Sequence, residues 1–276
     1  MATIWALCVR NIKDFTRSKI RLIFTIVFPF FFIYLFSEIF RVDGIDDPIS
    51  FMLAGIAIAM VFEIALRISS STIDDMTSGF MKEVLVSPVS RLSIAGGQFL
   101  SSAIIATFQG AFILIGGVVF GFRVSNFTTI PLMVLAMIFV GFVFAGFGLF
   151  IACNTKSQQS FQLVQMALTM PMMFLSGAYM LFSFMPPALQ VVGYFNPLTY
   201  AVLLFRIISL EQLHLSPQEL YASELTIQIG NTIVTPALAI LVLAVFGALF
   251  LALATISFAR TDFSKMNRSW ADVDMF

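Results

Sequence analysis

Glu63 and Arg67 lie well inside a long apolar stretch, and their spacing of four puts them on one face of a helix. Gly55 and Ala59 continue that row. It therefore joins small residues, which let helices approach, to an acid–base pair whose members partly neutralise each other. Two roles fit: a self-satisfied pair at a helix–helix contact, or a polar gate or substrate contact near the mouth of a path. Gln158, Gln162 and Gln165 share a second helical face, suited either to interhelical hydrogen bonds or to a hydrated lining. Phe24, Phe28, Phe32, Phe36 and Phe40 recur every four residues and form a spiral aromatic stripe interrupted by Pro29. Phe28 and Phe32 either face lipid and neighbouring helices or wall a path for a hydrophobic substrate.

Catalytic patterns are missing from the sequence. It has no G-x-x-x-x-G-K-[ST], HExxH, CxxC or GxSxG. His214 is the single histidine and lies in an acidic stretch, where a solvated loop residue is expected rather than a metal ligand. Cys8 and Cys153 are too few for a disulfide framework or a zinc site. Fifteen basic and fifteen acidic residues cancel, so no global field attracts nucleic acid. The chain by itself is expected to hold no cofactor and no metal, and to catalyse no reaction.

The elements that carry these residues follow from composition. Of 276 residues, 59% are hydrophobic and 11% charged, 33 are Phe, and mean hydropathy is +0.99. A soluble core of this length cannot hide so much apolar surface, so a soluble enzyme, a disordered chain and a disulfide-stapled domain are excluded. About twenty apolar residues cross a bilayer. Spans are expected at 22–40, 50–73, 99–120, 130–153, 161–182 and 234–258. The apolar stretch 185–208 contains Pro186, Pro187 and Pro197, so it reads as two short helices dipping into the outer leaflet.

The distribution of Lys and Arg sets the orientation. Arg10, Lys13, Arg17, Lys19, Arg21, Lys82, Arg91, Lys156, Arg260, Lys265 and Arg268 fall on one side of a six-span layout, and Arg41, Arg123 and Arg206 on the other. The richer side is cytoplasmic, with both termini there. Trp5, Cys8, Ile12 and Phe15 share one face of segment 1–21, which reads as an amphipathic helix lying in the cytoplasmic interface against membrane lipid. Between spans two and three, Met81, Val84 and Leu85 make an apolar stripe on a short cytoplasmic helix over 79–88 that ends before Pro88. That stripe is buried either on the chain's own helix ends or in a groove of a cytoplasmic partner.

Two stretches resemble the membrane subunits of type-2 ABC exporters, the ABC-2 permease family. Lys82-Glu83-Val84-Leu85-Val86-Ser87-Pro88-Val89-Ser90-Arg91 is similar to its E-x-L-x-x-[ST]-P-[VI]-[SR] segment. Leu175-Ser176-Gly177, Met185-Pro186-Pro187 and Phe195-Asn196-Pro197-Leu198-Thr199-Tyr200 with Arg206 are similar to its L-S-G…P…N-P-L-T-Y…R signature. This sequence departs from the family in having Asp74-Asp75-Met76-Thr77-Ser78-Gly79 where a basic–acidic pair is common.

The resemblance implies an all-α polytopic protein of six transmembrane helices, with an N-terminal interface helix, a cytoplasmic coupling helix and external re-entrant helices. It implies that Phe80, Met81, Lys82, Glu83, Val84, Leu85, Ser87 and Pro88 seat in a separate ABC ATPase that binds ATP and magnesium. It further implies that Asn196, Pro197, Tyr200 and Arg206 shape the external closure, and that two permease copies join two ATPases in the cell membrane. The expected cargo is drug-like or lipid. A lipid-linked glycan exporter and an ion-gradient transporter with Glu63 as proton carrier are the alternatives. The Glu63, Arg67, Phe28, Phe32, Gln162 and Gln165 set is the expected path or gate.

Overall fold

The computed structural model describes residues 48–71, 73, 91–120, 122, 126–155 and 157–260, with isolated positions 9, 13, 30, 31 and 34. The interface helix, the first span and the 79–88 segment lie outside the described residues apart from those positions. Phe28, Phe32 and every residue from Phe80 to Pro88 are therefore outside them too.

The described chain is mostly helical. Its helices are α1 (Pro48–Ile68), α2 (Arg91–Gly117), α3 (Thr129–Asn154), α4 (Gln158–Leu175), α5 (Pro187–Tyr194), α6 (Pro197–Ser209), α7 (Pro217–Ala222) and α8 (Pro236–Arg260). Four of them, α1, α2, α3 and α8, are long and apolar enough to cross a membrane, and α5 with α6 make a fifth candidate bent by 87°. Helix α1 carries small residues, Ala54, Gly55, Ala57 and Ala59, that let neighbouring helices approach. Buried along 89% of its apolar window, it is the central post, packed against α2, α3 and α6. By contrast α8 is buried along 28% of its window and lies at the edge against α3 and α6, leaving Leu241, Val245 and Leu249 exposed, as an apolar solvent permits. Phe62 of α1 meets Phe144 of α3 edge-to-face with centroids 4.6 Å apart, at the middle of the core.

Element boundaries depart from the hydropathy reading where local chemistry intervenes. The second apolar stretch ends as α1 at Ile68 rather than at 73, because a turn at Ser69 and Ser70 follows. α2 begins at Arg91, eight residues before the apolar stretch, since Leu92 to Gly97 are helical despite their small and polar members. The expected span 161–182 is the 18-residue α4, which starts earlier and stops sooner. Ser157 caps its start, its hydroxyl accepting from the Ser160 amide at 3.1 Å, and Gly177 at φ +78° turns the chain away after Ser176. Four glutamines keep α4 from being as apolar as the other spans.

Stretch 185–208 is two helices with a sharp elbow between them. Pro187 and Pro197 each open a helix at its first turn, where a missing amide costs nothing. Beyond α6, Ser216 and Glu219 form a reciprocal capping box on α7. The Ser216 backbone amide, at 2.7 Å, and the Ser216 hydroxyl hold the Glu219 carboxyl below the usual carboxylate range. A two-residue hairpin, β1 (Gln228–Ile229) against β2 (Thr232–Ile233), adds an antiparallel element to the expected all-helical fold. Its turn opens on Gly230 at φ +58°.

Candidate functional site

The residues from Leu175 to Arg206 form one locked unit. Asn196 caps α6, its side-chain oxygen accepting from the Leu198 amide at 3.0 Å, while its Nδ2 donates to the Met172 carbonyl of α4 at 2.7 Å. Thr199 Oγ1 donates to the Gly193 carbonyl at 2.8 Å, and the Tyr200 hydroxyl to the Tyr194 carbonyl at 2.7 Å. The last two bonds tie α6 to carbonyls at the C-terminal end of α5 and so hold the 87° elbow. Pro197 supplies the fixed φ of the first α6 turn.

Arg206 closes the unit from behind. Sequence counting places it on the outer side, in the stretch read as dipping into the outer leaflet. The structure buries it at 2% exposure. A guanidinium offers five donors in a rigid fork, so it can be buried among carbonyl dipoles without a carboxylate. Its Nε donates to Phe51 O at 3.1 Å, and its Nη2 to Gly177 O at 2.7 Å and Ala178 O at 3.3 Å. Its Cζ sits 3.8 Å above the Phe51 ring centroid. Arg206 thereby ties α1, the turn after α4, and α6 together. Room for it exists because residue 55 lacks a side chain: a Cβ there would lie 2.6 Å from Nη2 and 2.7 Å from Ala178 O.

Below this clasp, α1 and α4 diverge around a cleft of about 400 Å³. Met60 and Glu63 line it from α1, Gln162, Gln165, Met166, Thr169, Met170, Met173 and Phe174 from α4, and Tyr179 from the turn. The fold thus brings Glu63 together with Gln162 and Gln165, about a hundred positions further along the chain. Arg67 stands one turn further along α1 and is not among the lining residues. The rings of Phe174 and Tyr179 lie 5.4 Å apart and close one end. Thr169 Oγ1 is buried with no hydrogen-bond partner among the described residues.

Sequence reasoning missed Thr169, Tyr179 and the methionines. Extending the Gln158, Gln162, Gln165 row by helical spacing reaches Thr169 and Met173, so part of that signal was available. Tyr179 carried none, because it enters through a turn that folds back. His214 is exposed, its Nδ1 3.1 Å from Glu211 O, and among the described residues no cluster of His, Cys, Asp and Glu could hold a metal.

Comparison with known proteins supplies the setting. The sequence profile of the ABC-2 type transporter family matches residues 2–210. A protein of Cyanophora paradoxa named as transport permease ycf38 is 27% identical over 209 residues, which are 72% of this chain and 71% of that protein. A protein of Escherichia coli K12 named as multidrug ABC transporter permease YbhR is 29% identical over 145 residues, 52% of this chain and 39% of its own length. Its counterpart in E. coli O157:H7 gives the same values.

Proposed function

The chain belongs to the ABC-2 type transporter family, and we propose that it is the permease subunit of an exporter powered by a separate ABC ATPase. It is a multi-pass membrane protein, and its family implies an ATPase partner. The finer reading takes 1–276 as one permease domain of six spans, with the interface helix at 1–21 and both termini cytoplasmic in the cell membrane. Segment 79–88 acts as the coupling helix. Its Met81, Val84 and Leu85 stripe seats in the ATPase groove, with Lys82 and Glu83 at the polar edge. Two copies pair with two ATPases, and ATP and magnesium bind on the partner.

The observation that carries the cargo assignment is the cleft between α1 and α4. Its volume of about 400 Å³ falls in the range of small-molecule sites, and its lining is apolar with a few convergent polar groups. Such a lining fits drug-like or lipid cargo better than a long glycan. Outside it, the elbow of α5 and α6 closes the path, held by Arg206 and Asn196. Nucleotide-driven closure of the ATPases would tilt the coupling helix and shift the permease between inward-facing and outward-facing states, a population change through one rigid element. Uptake into proteoliposomes, scored with ATP hydrolysis, tests this. Leu85→Asp is expected to leave the permease in the membrane while uncoupling hydrolysis from transport. Transport and cargo-stimulated hydrolysis at the unmodified level in that variant would refute the coupling role.

A further inference from the structure

Resting on the reading of the cleft as a cargo site, we propose that its cargo is a lipophilic cation held by Glu63. Among the described residues, the lining contains one ionisable carboxyl and no basic side chain. Around that acid stand the thioethers of Met60, Met166, Met170 and Met173 and the rings of Phe174 and Tyr179. Aromatic faces attract cations through the ring quadrupole, and polarizable thioethers adapt to irregular apolar shapes. An anion here would meet the Glu63 carboxyl in surroundings too apolar to screen it. Arg67, one turn along α1, acts electrostatically on Glu63 from outside the described lining, so Glu63 is the ionisable group that faces the cleft.

A second, independent feature also marks the cleft as built for a ligand. Thr169 is 7% exposed, lines the cleft, and keeps its hydroxyl without a partner among the described residues, although helical threonines commonly bond back to their own helix. Such a group is retained where a bound molecule can answer it. Gln162 and Gln165 supply amides that accept from or donate to polar edges of the same guest.

Three phenyl-bearing probes of comparable bulk separate charge from shape: tetraphenylphosphonium, triphenylphosphine oxide and tetraphenylborate, carrying positive, zero and negative charge. Equilibrium binding of each is measured on the permease–ATPase complex in phosphatidylcholine nanodiscs. The phosphonium is expected to bind saturably and the borate not at all. Glu63→Gln should weaken the phosphonium about tenfold or more, the scale of losing one partner of a desolvated charge pair, and leave the phosphine oxide unmoved. Thr169→Val should weaken the phosphine oxide, whose oxygen can accept from the hydroxyl, and spare the phosphonium. Met170→Trp, which fills the cleft, should remove both. Phosphonium binding unaltered by Glu63→Gln in a monodisperse variant, or borate binding as tight as phosphonium, would overturn the cation assignment while leaving the cleft a cargo site. Failure of Met170→Trp to alter any bound probe, or no saturable binding of any probe, would overturn the cargo reading itself.

Discussion

Gly55→Ala tests the clasp most directly. The added Cβ would lie 2.6 Å from Arg206 Nη2, 2.7 Å from Ala178 O and 3.2 Å from Ala178 Cα. The guanidinium cannot step aside, because its Nε is bound to Phe51 O and its Cζ lies 3.8 Å from the Phe51 ring centroid. The turn must therefore move by about half an ångström to restore ordinary contact distances. That movement stretches the 2.7 Å bond from Arg206 to Gly177 O. Overpacking costs about 1–3 kcal/mol and weakening a charge-assisted bond about 1 kcal/mol more, so a loss of about 3 kcal/mol is expected. For a chain of this size that lowers the melting temperature by about 6–12 °C, read by fluorescence-detected size exclusion after heating. Arg206→Lys is the partner variant. An ammonium keeps the charge but cannot span Phe51 O and Gly177 O together, costing about 2 kcal/mol. Because both changes act on one clasp, the double variant should lose less than the sum, with a coupling of about 1 kcal/mol or more. A Gly55→Ala protein melting within about 1 °C of the parent would refute the reasoning, as would strictly additive losses.

Two further outcomes are expected. Asn196→Ala removes a helix cap and the bond to Met172 O, so thermal unfolding should show about 2 kcal/mol of destabilisation, and Asn196→Asp, which keeps the cap alone, about half of that. The Glu219 carboxyl is held below its unfolded value of about 4.3, so its contribution to α7 is complete above that pH and fades as pH falls through the folded value. The hydrogen-exchange protection factor of the Ser216 amide should therefore drop between about pH 5 and pH 3, and Glu219→Gln should abolish that dependence.

The legibility of this chain varied with the kind of force involved. Spans α3 and α8 emerged within two residues of their hydropathy bounds, because membrane length and apolarity are local properties summed along the chain. The elbow was legible too, since Pro187, Asn196 and Pro197 impose their geometry on their immediate neighbours. Boundaries failed at α1, α2 and α4, where a serine turn, a polar helical entry and a left-handed glycine outweighed hydropathy. The hairpin at Gln228–Ile233 was readable in its Gly230-Asn231 turn, but two-residue strands carry almost no periodic signal.

Sequence by itself determined that this is a membrane chain of the ABC-2 type, because apolar runs and short motifs are properties of consecutive residues. The tertiary structure decided what Arg206 and Glu63 meet. Counting charges puts Arg206 on the outer side, but the carbonyls of Phe51, Gly177 and Ala178 converge on it only after three separate elements pack. Glu63, with Arg67 one turn away on its own helix, gained Gln162, Gln165, Thr169 and Tyr179 as neighbours only when α4 and its turn folded beside α1. A buried polar group answers to whatever the fold brings within about 3 Å of it, and that is a long-range property no local pattern encodes.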